Sequence, residues 1–271
     1  MKKIVNYNKI FTFVEVLENN CEMKKVVLLT LGLMTQIGFA QQAEQGTEER
    51  KSVESKNMVK LNALALTTGT VSVQYERLVS PKITIGATVN LMPKRGLPFS
   101  NTVESFVDDK TTAAQLQAIS MSSFSFTPEA RIYFGKESFK GFYIAPFARI
   151  GSYSLELPVD YHYEGKDEHI IVGGKISSFS GGIAFGAQWK LSDNIYLDWM
   201  IMGPHYGSAS GTLEGKRTLN QEEQTAINDA LKDLDIPVVE YEYEVNSSGA
   251  KVKLDGPWAG VRAVVGIGYR F

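Results

Sequence analysis

The stretch Gly260–Phe271 reads GVRAVVGIGYRF and finishes on an aromatic residue with no polar tail. Its odd-numbered positions are apolar or aromatic: Val261, Ala263, Val265, Ile267, Tyr269 and Phe271. Its even-numbered positions are small, charged or mixed: Gly260, Arg262, Val264, Gly266, Gly268 and Arg270. A period of two predicts a β-strand with unlike faces. Because chain ends usually fray, an apolar strand here is expected only where neighbouring strands cover its edges.

Upstream segments show the same alternation. Including the last, the predicted strands are 58–67, 70–79, 82–92, 122–134, 141–157, 174–190, 194–206 and 257–271. Each can form a tilted transmembrane strand, which needs about 9–11 residues. Short links (80–81, 135–140, 191–193) alternate with long links (93–121, 158–173, 207–256). The one exception is the first link on the side of the long loops, around Thr68, which is short. Short turns on one side and long loops on the other are typical of membrane barrels.

The composition of the two faces favours a membrane barrel over a soluble calycin-type barrel. The apolar faces carry no charge through their middles, and a lipid-facing Lys or Arg there would cost about 2–4 kcal/mol. The other faces mix Gly, Ser, Thr and isolated charges, which suits a tight interior better than a water-facing surface. Pro128 and Pro146 fit badly, because a closed barrel has no free edge. Each is expected to mark a bulge or to lie near a rim.

The segments before the barrel are expected to have other roles. Met23-Lys24-Lys25, the apolar run VVLLTLGLM and the small residues ending at Ala40 have the layout of a secretory signal peptide, 23–40. Residues 1–22 are expected to be an upstream extension that is not native, and 41–57 a flexible periplasmic leader. The barrel is then 58–271. The net charge of −2 shows no basic excess, so no nucleic-acid partner is expected.

The predicted fold class is all-β: a monomeric, eight-stranded, antiparallel up-and-down transmembrane β-barrel with long outer loops. On its alternating strands, phased loops and terminal Tyr269-Arg270-Phe271, the chain resembles the OmpA/OmpX-like β-barrel superfamily. The resemblance implies an outer-membrane location in a Gram-negative-type cell, with both termini periplasmic and membrane lipid as a partner. It also implies that the barrel-assembly machinery reads the last strand, through Val265, Ile267, Tyr269 and Phe271.

The inward faces carry charges that are expected to form an ion-pair network filling the lumen, since an isolated buried charge is very costly. These residues are Lys60, Glu76, Glu129, Arg131, Arg149, Asp198, Arg262 and Arg270. A lumen of eight strands is just wide enough for side chains to fill. An ion-conducting path through the same charges is the alternative.

The link 207–256 is expected to contain a helix and a hairpin. Asn220 with Glu223 forms a capping pattern, and the apolar residues that follow have helical spacing. Pairing 238–245 with 250–254 places Glu244 opposite Lys251 and Glu242 opposite Lys253. The helix stripe is expected either to cap the barrel mouth or to bind an extracellular partner. The residues proposed for that interaction are Ile227, Leu231, Leu234, Tyr241 and Tyr243.

The sequence therefore predicts a structural or surface-interaction protein, without enzymatic activity, cofactor or metal site. A channel for small solutes or hydrophobic compounds is the first alternative. A lipid-modifying or hydrolytic enzyme at the rim is the second, because His205, Ser208 and Ser210 lie together at the end of a strand with Asp198 deeper. No G-x-S-x-G nucleophile motif supports it.

Overall fold

The computed structural model describes residues 55–96, 118–233 and 240–271. The predicted upstream extension, the signal peptide, most of the leader, residues 97–117 and Leu234 lie outside the described residues. In chain order the elements are β1 (Asn57–Asn62), α1 (Ala63–Thr67), β2 (Val71–Ser80), β3 (Ile83–Gly96), β4 (Ser120–Tyr133), β5 (Gly141–Tyr163), β6 (Lys166–Lys190), β7 (Ile195–Lys216), α2 (Gln221–Asp233), β8 (Glu240–Asn246) and β9 (Gly249–Arg270).

In the described part of the chain, eight strands form an antiparallel ring in chain order, and β1 closes it by pairing with β9. The backbone N–H of Asn57 donates to the carbonyl of Phe271 at 3.1 Å, and the N–H of Phe271 donates back at 2.9 Å. These bonds hold the last strand, which therefore has no open edge at its end. The predicted antiparallel up-and-down ring is confirmed. The end that holds Asn57 and Phe271 is called the terminal end below, and the opposite end the loop end.

The first predicted strand is too long. It ends at Asn62, and residues 63–67 form α1 instead of continuing to Thr67 as a strand. The side-chain oxygen of Asn62 accepts from the backbone N–H groups of Leu64 and Ala65, which caps the new helix. Ala and Leu are also strong helix formers. An N-cap followed by helix formers thus overrides the alternating pattern.

Four other strands are much longer than predicted, and β3 and β4 are slightly longer. β5 and β6 form one continuous hairpin from Gly141–Gln188 to Tyr163–Lys166, so the predicted long link 158–173 is mostly strand. β7 and β9 likewise pair from Ile195–Tyr269 to Lys216–Gly249. β8 pairs with the first part of β9. The second arm of the predicted outer hairpin is thus the beginning of the last ring strand. The strand segments beyond the ring, together with β8 and α2, are called the extension.

The exposed face of the ring is apolar all the way around. Every ring strand contributes exposed apolar side chains, for example Val59, Tyr75, Ile85, Phe126, Ile150, Phe179, Ile201 and Val261. Among the described residues, no helix combines the length and the apolarity needed to cross a membrane.

The apolar face changes sides where the strands pass from the ring into the extension. On β6, the exposed apolar residues Phe179 and Phe185 point outward, but the buried Ile170 and Val172 point to the side that continues the lumen. On β9, outward Val261 gives way to outward Lys253 and inward Val252. The ring therefore has apolar residues outside, whereas the extension has them inside.

Two local features differ from simple alternation. A bulge between Met200 and Gly203 on β7 places both Ile201 and Met202 outward, although strict alternation assigns Met202 to the inner face. The prolines mark neither a bulge nor a rim. Pro128 pairs with Ala87 and Pro146 with Ile183, while the ladder between β4 and β5 lacks pairs beside them without any change of register. The missing N–H groups are thus accommodated by gaps in one seam.

Candidate functional site

The lumen contains a cluster of buried charges centred on Asp198. Its carboxylate lies 2.9 Å from the ammonium of Lys60 and 2.7 Å from Nη1 of Arg131. Lys60 also pairs with Glu76. All four side chains are 3% exposed or less, so these are charge-assisted contacts in a region shielded from bulk water.

The same cluster continues towards the loop end through Glu129. Arg131 Nε donates to Glu129 Oε1 at 2.7 Å, and Arg262 Nη2 donates to Glu129 Oε2 at 3.1 Å. Six of the eight predicted lumen charges are thereby connected: Lys60, Glu76, Glu129, Arg131, Asp198 and Arg262. Three of these are basic and three acidic, so the connected set is neutral.

Neutral side chains complete the network and set its geometry. Tyr143 donates to Asp198 at 2.8 Å, and Tyr133 donates to Glu76 at 2.7 Å. The guanidinium of Arg131 lies 4.3 Å from the ring centroid of Tyr143. Gln74 and Gln188 bond to members of the network from two further strands: Gln74 bridges Glu129 and Arg131, while Gln188 accepts from Lys60. Because β1, β2, β4, β6, β7 and β9 all contribute, side chains span the lumen from wall to wall.

The remaining two predicted lumen charges lie elsewhere. Arg270 is at the terminal end, where Nε donates to the carbonyl of Ser55 at 2.7 Å and the guanidinium lies over Phe139. Arg149 lies in the lumen above the network, towards the loop end, and makes no ion pair with any described residue. The alternation of the sequence places both residues on the inner face, but it gives no information on the groups that they contact.

The predicted interaction residues in the extension are mostly packed inside it. Ile227 and Leu231 of α2 are 0% and 1% exposed, and they pack with Tyr161, Val172 and Val252. Tyr241 and Tyr243 lie against the same core and stack at 6.2 Å. Leu234 lies outside the described residues. Ile227 and Leu231 are therefore not available to a partner, because the sheet already covers the apolar stripe of the helix.

Local contacts fix α2 in place. The side chain of Asn220 accepts from the N–H groups of Glu222 and Glu223 at 3.0 and 2.9 Å, and Glu223 accepts from the N–H of Asn220 at 2.9 Å. This is a reciprocal capping box. Tyr161 donates to Glu223 at 3.4 Å, and burial raises the pKa of the Tyr161 phenol.

At the loop end, the hydrogen bond from Lys94 lowers the pKa of the exposed Glu156.

The relationship to known proteins is distant. The sequence profile of the DUF3575 family, described as a protein of unknown function, matches residues 27–209. The chain belongs to the DUF3575 family. No curated protein matches it.

Solved structures that match this DUF3575 protein include the outer membrane protease OmpT from Escherichia coli. That match has 9% identity and a TM-score of 0.35, and it covers 80% of this chain and 93% of OmpT. The translocator domain of the autotransporter NalP from Neisseria meningitidis matches with 11% identity and a TM-score of 0.28. It covers 92% of this chain and 98% of that domain.

In this DUF3575 member, the residues named for a rim enzyme do not lie on one face of their strand. His205 faces the lumen, where its ring lies 6.1 Å from that of Phe147. Ser208 and Ser210 are exposed and, three and five residues away on the same strand, belong to the opposite face. Asp198 is engaged by Lys60 and Arg131. Among the described residues, no group of three or more His, Cys, Asp and Glu side chains could hold a metal ion.

Proposed function

We propose that this protein is an integral outer-membrane β-barrel with a lumen filled by side chains, and that it has a structural or surface-interaction role through its extension. The observation that carries the proposal is the change of sides by the apolar face. A soluble barrel needs apolar residues inside along its whole length, whereas here they are outside in the ring and inside in the extension. Only a change of solvent from lipid to water favours that inversion.

The dimensions of the exposed apolar band agree with a membrane. On β9 the outward face is free of charge from Pro257 to Tyr269 and becomes charged at Asp255 and Lys253. At about 3.3 Å per residue and a tilt of about 40°, this segment rises roughly 30 Å. Exposed Phe134, Tyr269 and Phe271 lie at the terminal end, where aromatic residues of an interfacial girdle are expected.

The lumen network favours a closed barrel over a channel. Lys60, Arg131 and Asp198 are contacted from several strands and are almost completely buried. An ion passing through would have to break contacts that neutralise one another in a region of low dielectric. The proposal includes no catalytic step, and its partners are membrane lipid, the assembly machinery and an extracellular molecule at the extension.

Membrane integration is tested by two measurements on the expressed protein. We expect partition into the detergent-extracted envelope fraction and faster gel mobility before boiling than after it, because a closed barrel resists detergent unfolding. A mature protein that remains soluble without detergent and shows no heat-dependent mobility would contradict the membrane assignment.

The closed lumen is tested separately by planar-bilayer recording of the same folded sample. We expect no reproducible conductance steps under conditions in which an open porin conducts. Steady, step-like conductance from the heat-modifiable species would replace the structural role with the channel alternative and leave the membrane assignment unchanged.

A further inference from the structure

One layer of the lumen collects almost all of the unsatisfied polar atoms in the described structure. Among the described residues, seven buried side-chain nitrogen or oxygen atoms have no hydrogen-bond partner, and the Glu76 oxygen among them is ion-paired with Lys60. The other six belong to what is called the lumen layer: Thr127, Arg149, Ser178, Ser180, His205 and Arg262. Buried polar atoms are normally satisfied, so a concentration of exceptions at one place requires an explanation.

The strand registers place these residues around one side of the lumen. Arg149 is opposite Ser180, Ser180 is opposite Gly207, and Gly207 is opposite Trp258. His205 lies between Gly182 and Gly260 on the neighbouring strands. A Cβ at position 260 would lie 2.8 Å from Nε2 of His205, so the absence of a side chain at Gly260 leaves room for the imidazole.

The chemistry of the lumen layer is that of a donor set. The unsatisfied atoms include Nε of Arg149, Nη1 of Arg262 and the hydroxyls of Thr127, Ser178 and Ser180, all of which can donate. Glu129 is the carboxylate nearest to them in the network, and it already accepts from Arg131 and Arg262. A ligand for these atoms must therefore supply acceptors.

The charge balance points in the same direction. The inner faces of the described strands hold four basic residues between the rims, Lys60, Arg131, Arg149 and Arg262, against three acidic ones, Glu76, Glu129 and Asp198. Of these four cations, Arg149 is the one that forms no ion pair with a described residue.

The layer is also within reach of a solute. Thr127, Ser178 and Ser180 are buried, whereas Arg149, His205 and Trp258 are half-exposed. These side chains lie between the ion-pair network and the loop end, so a ligand would enter from the loop end. A small cavity beside the layer is lined by Arg262 together with network and wall residues: Lys60, Ser72, Gln74, Thr88 and Arg131.

We propose that the lumen layer is a binding site for a phosphate-type oxyanion. The guanidinium groups of Arg149 and Arg262 supply charge-assisted donors, and the hydroxyls of Thr127, Ser178 and Ser180 supply neutral donors that match several oxygens of a tetrahedral anion. The phosphate is either a free ion or the headgroup of a lipid. The site shares Arg262 with the ion-pair network beneath it, and it requires only the folded barrel.

Trp258 provides the readout, because it faces the lumen in the same layer, where its ring centroid lies 5.0 Å from that of Tyr153. The experiment titrates the heat-modifiable protein carrying Trp189→Phe and Trp199→Phe, so that Trp258 is the single fluorophore. One arm uses inorganic phosphate against chloride at constant ionic strength. The other uses micelles of a short-chain phosphatidic acid against micelles of a zwitterionic lipid.

We expect saturable quenching or enhancement of Trp258 fluorescence in at least one arm, and Arg149→Gln should weaken the affinity about tenfold or more. Arg217→Gln is the matched control, because Arg217 pairs with Glu168 and Glu223 in the extension. Ser180→Ala should weaken binding in the same arm without a change of charge. This variant tests the site if Arg149→Gln does not fold.

The two arms identify the source of the phosphate. Saturation by inorganic phosphate supports a soluble ligand, and saturation by phosphatidic acid alone supports a lipid headgroup. If neither arm gives a saturable change, the proposal is overturned and water is the partner of these donors. An equal loss of affinity in Arg217→Gln and Arg149→Gln would overturn it as well, since the effect would then be unspecific.

Discussion

At the scale of the residue, Asp198 determines whether the ion-pair network of the lumen is electrostatically neutral. It is fully buried and accepts from Lys60, Arg131 and Tyr143. Removing one acidic member of this buried network leaves three cations with two carboxylates in a region shielded from solvent, and such an excess charge costs more than an ion pair contributes.

Asp198→Asn should therefore lower the free energy of unfolding by about 3–5 kcal/mol, because two buried cations lose their shared counterion. The measurement is urea unfolding of the protein in lipid vesicles, followed by heat-modifiable mobility. Glu137→Gln is the control: this carboxylate is 66% exposed and pairs with Lys140, so its loss should cost less than about 1 kcal/mol. Similar unfolding midpoints for both variants would show that the network contributes nothing to stability.

At the scale of the element, the extension is a small folded unit with its own core. α2 begins at a capping box and buries Ile227 and Leu231 against the inner face of β5, β6, β7 and β9. β8 completes this sheet by placing Glu242 opposite Lys253 and Glu244 opposite Lys251. The outer role proposed for the protein depends on this unit, because it holds the polar outward faces of the strands in fixed positions.

Ile227→Ala should destabilise the extension by about 2–5 kcal/mol, because a fully buried side chain leaves a cavity. The ring does not share this core, so heat-modifiable mobility should be unchanged while protease cleavage between β7 and β9 becomes faster. Thr225→Ala, on the exposed side of the same helix, should leave cleavage unaffected. Loss of heat-modifiability in Ile227→Ala would show instead that the ring depends on the extension.

The elements also show how far the sequence alone could lead. The period of two identified the ring strands and their inner faces, including the six residues that the structure connects as ion pairs. It could not locate the ends of β5, β6, β7 and β9, because alternation continues into the extension while the apolar residues change to the other face. It also placed Met202 inside, since the extra residue of the bulge is defined only by pairing with a neighbour. That Arg149 has no ion pair among the described residues could not be predicted, because ion pairs in the lumen depend on contacts between distant strands.

At the scale of the whole molecule, the ring is closed by the pairing of its first strand, β1, with the end of its last strand, β9. β1 has only six residues, and its pairing with β9 covers Met58–Arg270 to Asn62–Gly266. The closure is completed by the reciprocal backbone bonds between Asn57 and Phe271. Because those bonds use the main chain, the Phe271 side chain is free to serve another purpose, which we propose is recognition during assembly.

Phe271→Ala separates these two roles, since it retains both backbone bonds and removes only the exposed ring. We expect a clear fall in the amount of heat-modifiable barrel in the envelope fraction, with normal stability for the molecules that do fold. Phe134→Ala is the matched control, because Phe134 is also an exposed aromatic residue at the terminal end, 67% exposed against 50% for Phe271. If both variants lower the barrel level equally, the fall reflects lost contact with lipid. That result would contradict an assembly role for the last residue.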